Sequence, residues 1–396
     1  MNAVTELPFR HPLPAGTSVG PTDNSPGPVP PDMLAQVREI AAGSLAAAAE
    51  KIDREGFYPK CILQALGSSG AMATHLDLYG RNFGDAIRAM TEAGRVCGST
   101  GFMMWCHDVC GLYLEQSGNP ALTGFMLESH AWGKTLGGTG MSNPMKTFAG
   151  IESMLLRAKR VAGGYVVNGT LPWVSHIGPN HYLGAVCAVL DDNEQLLHEV
   201  MFLLDCSAPG VELKHCPAFS GMEGTSTWAV KVSGLFIGED RLIADPVRPF
   251  IARIRASFIL LQTGMGLGVT QGSIDSMWEV EPQLGKVNQF LDHRPADVQA
   301  ELDALTDRIL RLANTPFETD KDYLIDVLDV RAHASELSLK AAQSALLHQG
   351  ARGYLMSAAP QRRVRESHFV AIVTPAIKHL RKEMARLMTE PTPATA

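Results

Sequence analysis

Apolar residues recur every three or four positions in MLAQVREIAAGSLAAAAEKIDREG (33–56), and the run ends on a glycine, the pattern of an amphipathic helix with its stop signal. Similar spacing continues to about residue 130. The texture then changes to short β-branched or apolar runs, YVVNG, YLGAVCAVL, EVMFLLD and WAVKVSGLFI, separated by Gly, Asn, Asp and Pro, which predict strands. Beyond about residue 246 long helical patterns return, clearest in ADVQAELDALTDRILRLANTP and YLIDVLDVRAHASELSLKAAQSALLHQGARG. Helices, then a β block, then helices predict an α+β protein rather than a doubly wound sheet, in which strands and helices would alternate. The expected organisation is a loose Pro/Gly-rich arm over 1–32, an N-terminal helical domain over 33–130, and a central β-barrel or sandwich domain over 131–245. A C-terminal four-helix bundle over 246–388 and a frayed tail over 389–396 complete it.

Composition changes this picture little. Apolar residues make up 45% and charged residues 19%, so a core of ordinary size is expected. A net charge of −7 gives no reason to expect nucleic acid or an anionic membrane as partner. No apolar run reaches the roughly 20 residues that span a bilayer, and the N-terminus lacks a signal-peptide pattern. A cytoplasmic location is therefore expected. The seven cysteines are scattered through apolar segments, which suits reduced, buried thiols.

Two motifs invite over-reading. GMGLG (264–268) lacks the G-x-G-x-x-G spacing and follows a helical run where a dinucleotide site requires a strand, so close helix packing at small residues is the better reading. His107 between Cys106 and Cys110 offers only three soft ligands with no further cluster, and no metal is expected.

Between these, an ordered set of segments resembles the acyl-CoA dehydrogenase family over about residues 33–388. YPKCILQALGSSGAMA matches its N-terminal Leu-x-x-x-Gly turn, and TGMSNP (139–144) stands at its Thr-Glu-Pro loop. GGYVVNGTLPWVSH (163–176) reads as its strand, Asn-Gly turn and Trp-x-Thr/Ser strand. GMEGTSTWAVKVSGLFIGEDRLI, GLGVTQGSID, GARGY and VRES follow in the family's order. The resemblance implies an FAD-dependent oxidoreductase, a homotetramer, acting on an acyl-CoA and passing electrons to an acceptor. It places Trp173 beside the flavin ring, Ser175 toward the N5/O4 edge and Ser142 toward the pyrimidine end. Gly350 and Gly353 would approach the FAD of a neighbouring subunit, and Arg365 would meet substrate.

The same alignment exposes departures. The family's Gln before the glycines is Leu347, and its Arg-x-x-Phe-Gly element has no match in EVEPQLGKVNQF. Its Glu base, nine residues after the Arg of the Arg-Asp segment, falls on Thr374, and the alternative base position on the first C-terminal helix falls on Phe258 and Ile259. A threonine hydroxyl cannot take the α-proton at neutral pH. Related flavin monooxygenases read His-Asp-Pro where this chain has Val373-Thr374-Pro375. Substitute bases are sought in Glu366, His368 and His176. The alternative is an oxygenase working through a flavin C4a-peroxide on a CoA thioester or aromatic substrate, which needs no such base. A degenerate, non-catalytic flavin binder is the third reading.

Overall fold

The computed structural model describes residues 27–389 of the chain, so most of the expected N-terminal arm and nearly all of the tail lie outside the described residues. The N-terminal helix Met33–Ile40 runs through one π turn into Ala46–Glu55 and stops at Gly56, whose φ of +67° few other residues adopt without cost. Lys60–Ser68 and Phe83–Val96 follow, the latter capped by the Asn82 side chain accepting from the Asp85 N–H. Gly98–Gln116 is buried on every side from Gly98 to Leu114, as a helix at the centre of a protein must be.

The β block forms one eight-stranded sheet: β1 (Gly137–Thr139), β2 (Leu156–Val161), β3 (Gly164–Val174), β4 (Tyr182–Leu190), β5 (Leu196–Asp205), β6 (Val211–His215), β7 (Trp228–Gly238) and β8 (Leu242–Ala244). Their order is β6-β7-β3-β2-β4-β5-β8, with β1 parallel beside β4. The sheet has its own core, in which Val167, Leu171, Leu183 and Phe202 are almost fully buried. A short helix, Ser142–Phe148, interrupts the strands.

One local expectation is corrected. Asn168–Gly169 is not a turn but a bulge inside the single strand β3, where the register against β7 shifts between Val167 and Gly169. The Asn168 side chain accepts from the Gly234 N–H (2.7 Å), and Gly169 takes φ +137° with the Leu155 carbonyl 2.2 Å from where a Cβ would stand. Neighbouring backbone, not a chain reversal, is what demands glycine there. The reversal into β3 comes earlier, at Gly163 (φ +79°).

Among the described residues the C-terminal region contains six α-helices: Val247–Leu261, Thr263–Asn288, Pro295–Leu312, Lys321–Gln349, Ala359–Ile372 and Ile377–Thr389. GMGLG lies inside the second of these. A Cβ on Gly268 would stand 2.8 Å from Gly94 Cα, and one on Gly266 would stand 2.8 Å from the Ala334 carbonyl. These glycines let two helices approach on two sides, as the spacing predicts. The α+β expectation with flanking helical regions thus holds.

Candidate functional site

A cavity of about 500 Å³ opens where the end of β3, the loop after β1, the helix Gly98–Gln116 and the helix Ala359–Ile372 converge. Its deep wall is aromatic. Phe102 stacks on Trp105 at 5.8 Å, Phe369 meets Phe102 edge-on at 4.6 Å, and Phe258 meets Trp105 edge-on at 5.2 Å. Hydroxyls line the opposite side. Ser175 Oγ and Thr227 Oγ1 are 2.7 Å apart, and Thr225 Oγ1 lies 2.9 Å from Thr227. Ser142 Oγ and Thr374 Oγ1 are 3.1 Å apart, joining the start of the helix Ser142–Phe148 to the C-terminal helical region.

Trp173 lines the same cavity yet is 60% exposed. A break in the register against β7 between Leu171 and Val174 explains this: both of those residues turn into the sheet core, and Pro172 and Trp173 between them are left exposed. A large exposed aromatic beside an apolar slot rimmed by hydroxyls is a surface awaiting a planar, polar-edged ring. The residues present therefore fit a flavin.

Backbone in the left-handed region clusters here. His176, Met222 and Ser226 have φ of +60°, +67° and +50°. The His176 N–H donates to the Thr225 carbonyl (2.8 Å), and Ser226 Oγ donates to the Ile177 carbonyl (2.7 Å). These bonds hold the β3 exit against the 223–225 turn and fix Ser175 beside Thr227.

Of the three substitute bases, one reaches the cavity. His368 lines it and is exposed. Glu366 is buried and turned away: its carboxylate accepts from the Gly98 N–H (3.0 Å) at the start of the central helix, 3.4 Å from Arg362 Nε. Burial raises its pKa. His176 is buried behind the strand, with Nδ1 3.2 Å from the Tyr58 hydroxyl, and burial pushes its pKa well down. Arg365 does line the cavity, but its guanidinium grips Asp53 through two bonds of 2.7 and 2.6 Å. Among the described residues lining the cavity there is no Asp or Glu.

His107 belongs to a buried histidine block. His107 and His130 stack at 3.6 Å, and each Nε2 donates to the other's backbone carbonyl at 2.9 Å. Gly350 and Gly353 lie outside the cavity, next to Leu347, Tyr354 and Leu355, each more than 60% exposed.

Sequence reasoning missed the Thr225–Thr227 hydroxyls, the Asp53 partner of Arg365 and the aromatic wall. The alternating hydroxyls of TSTW, running into a strand, were a legible signal. Asp53, 312 residues from Arg365, left none.

Helices, sheet and helices in this order, around a hydroxyl-rimmed aromatic slot, form the acyl-CoA dehydrogenase fold. Residues 32–134 match the family model "Acyl-CoA dehydrogenase, N-terminal domain". A probable acyl-CoA dehydrogenase of Bacillus subtilis (strain 168) is 23% identical over 359 residues, covering 85% of this chain and 91% of that protein. Butyryl-CoA dehydrogenase from Megasphaera elsdenii superposes with a TM-score of 0.79 at 16% identity, over 94% of this chain and 100% of that one. Dibenzothiophene monooxygenase from Paenibacillus sp. A11-2 gives 0.75 at 16% identity, over 91% and 99%. The chain is thus similar to acyl-CoA dehydrogenases over most of its length and shares their fold.

Proposed function

We propose that this chain is an FAD-dependent oxygenase acting on an aromatic substrate or an aromatic CoA thioester. One observation supports this above the others: the cavity at Trp173 and Ser175 has an aromatic wall and no carboxylate among its described lining residues. α-Proton removal from an acyl-CoA calls for a base tuned near the working pH, and Glu366 is committed to the Gly98 N–H instead. FAD, when bound, supplies two-electron chemistry and, once reduced, reactivity toward oxygen.

The chain's own residues bind and orient. Trp173 would cover one edge of a bound ring system, and Ser175, held by Thr227, would donate to its polar rim. Phe102, Trp105 and Phe369 exclude water and stack a planar substrate. Gly350 and Gly353 complete the site of a neighbouring subunit in a homotetramer. Seven free thiols suit a cytoplasmic setting.

A second reading is α,β-dehydrogenation of an acyl-CoA with His368 as proton acceptor. The dehydrogenases related over most of the chain favour it, as does the exposure of His368 at the cavity. Anaerobic mixing with butyryl-CoA and an aromatic acyl-CoA panel separates the two. The oxygenase reading expects no bleaching of the flavin by thioester alone. It expects oxygen uptake once flavin is reduced and indole or another aromatic is present. Bleaching by a saturated acyl-CoA under anaerobic conditions would overturn it.

A further inference from the structure

The helix Lys321–Gln349 carries a fully buried arginine, Arg331, with no carboxylate paired to it among the described residues. Its Nε donates to Gln262 Oε1 (2.7 Å), Nη1 to Ser335 Oγ and Nη2 to the Val370 carbonyl (2.9 Å). Burial lowers its pKa only to about 9, so the guanidinium remains charged at neutral pH. A buried charge without a counter-ion is costly, and here only neutral acceptors answer it. One of these, the Val370 carbonyl, lies in the last turn of Ala359–Ile372, the negative end of that helix.

Gln262 stands at the break between Val247–Leu261 and Thr263–Asn288. Because its Oε1 takes the arginine, its amide N–H₂ faces the other way and donates to the Thr374 carbonyl (2.9 Å). The hydroxyl of Thr374 in turn pairs with Ser142 at the cavity. An ordered chain therefore runs Arg331 to Gln262 to Thr374 to Ser142. Val370 and Thr374, both held by it, bracket the end of the helix that carries Arg365, His368 and Phe369 into the cavity. The two cavity hydroxyls need one proton for their mutual bond, which leaves the other O–H free to donate.

We propose that Arg331, acting through Gln262, is a positioning residue. It pins 370–374 so that the Ser142–Thr374 pair presents a hydroxyl donor to a carbonyl-type oxygen in the cavity. Gln262 holds the Thr374 backbone carbonyl while Ser142 meets its side-chain hydroxyl, so the coupling is one of position, carried by the Thr374 backbone. The oxygen can belong to the flavin's pyrimidine end or to the substrate, and this part of the proposal rests on the flavin reading above.

Gln262→Leu cuts the chain while leaving Arg331 its bonds to Ser335 and Val370. Gln262→Glu keeps the contact with Arg331, neutralises its charge and removes the donor to Thr374. Hydrogen exchange on protein without flavin tests the pinning. In both variants the segment 370–376 should exchange about tenfold faster while the other helices keep their protection. Binding of FAD to the apoprotein should weaken about tenfold if the oxygen is the flavin's. If it is the substrate's, FAD affinity stays constant and binding of butyryl-CoA or indole to the holoenzyme weakens instead. Protection of 370–376 equal to wild type in Gln262→Leu would overturn the proposal, as would a uniform rise over every helix. Wild-type affinities for all three ligands in both variants would overturn the donor part. Should wild type bind no FAD while 370–376 still loosens in the variants, the flavin reading falls and the positioning role stands. Arg331→Met should reproduce the Gln262→Leu pattern, and if it fails to fold the Gln262 pair decides alone.

Discussion

His75 offers a direct test of how burial sets this protein's response to acid. It is 1% exposed, its Nε2 donates to the Asp108 carbonyl at 2.8 Å, and its Nδ1 has no partner. Burial pushes its pKa down to about 4, against about 6.5 in an unfolded chain. Between those values the unfolded chain binds a proton that the folded one refuses. The stability held by neutral His75 is therefore complete above about pH 6.5 and is lost as pH falls toward 4. Going from about pH 8 to about pH 5.5 costs about 1.4 kcal/mol at this residue. His130, pushed down to about 3, and His107 and His176, both held well below the usual range by burial, shift stability in the same direction. The carboxyls of Asp108 and Glu366, both raised by burial, act in the opposite sense. A variant comparison removes their contribution. His75→Gln keeps a donor for the Asp108 carbonyl but cannot titrate. Urea unfolding at the two pH values should show wild type losing about 1.4 kcal/mol more than the variant. Equal losses would refute the assignment of acid sensitivity to this buried ring.

Purified protein should take up one FAD per chain and show the two-band spectrum of an oxidised flavin; protein that stays colourless in excess FAD would remove the central claim. Ser175→Ala should weaken FAD binding by about fivefold, the value of one hydrogen bond of about 1 kcal/mol, with the fold intact by circular dichroism. His368→Asn should leave oxygen-coupled turnover within about twofold of wild type, whereas a dehydrogenase using His368 as base would lose about 10²-fold or more in acyl-CoA reduction. Glu366→Gln should act on stability rather than chemistry. It weakens a charged cap on the buried Gly98 N–H, lowering unfolding free energy by about 1–3 kcal/mol with ligand binding unchanged, as denaturant melts and FAD titration would show.

The helix–sheet–helix order was legible because it rests on hydrophobic period, which needs no knowledge of partners. Trp173 and Ser175 were legible as a pair because residues two apart share a face opposite Val174, but the register break that turns Trp173 away from Leu171 depends on pairing with β7 and was not. The substitute bases were not. Glu366 and His368 stand two residues apart on one helix, and only packing against Gly98 sends the first inward while the second stays exposed. Asn168–Gly169 looked like a turn because the dipeptide favours positive φ. The approach of Leu155 and Gly234 from other segments makes it a bulge. Arg331 gave no signal at all, because two of its three partners, Gln262 and Val370, lie 69 and 39 residues away.

The seam between the start of the central helix and the helix Ala359–Ile372 has a consequence for biogenesis. Glu366 caps Gly98, Arg362 donates to the Val96 carbonyl and Arg363 to the Arg95 carbonyl, joining positions more than 260 residues apart. A ribosome delivering this chain releases the aromatic wall of Phe102 and Trp105 long before Phe369 arrives to close it. The helical and sheet cores can consolidate during synthesis, but the slot cannot. Cofactor capture is thus a late event, coupled to docking of the last two helices, and a nascent chain halted before residue 359 should fold in part yet hold no flavin.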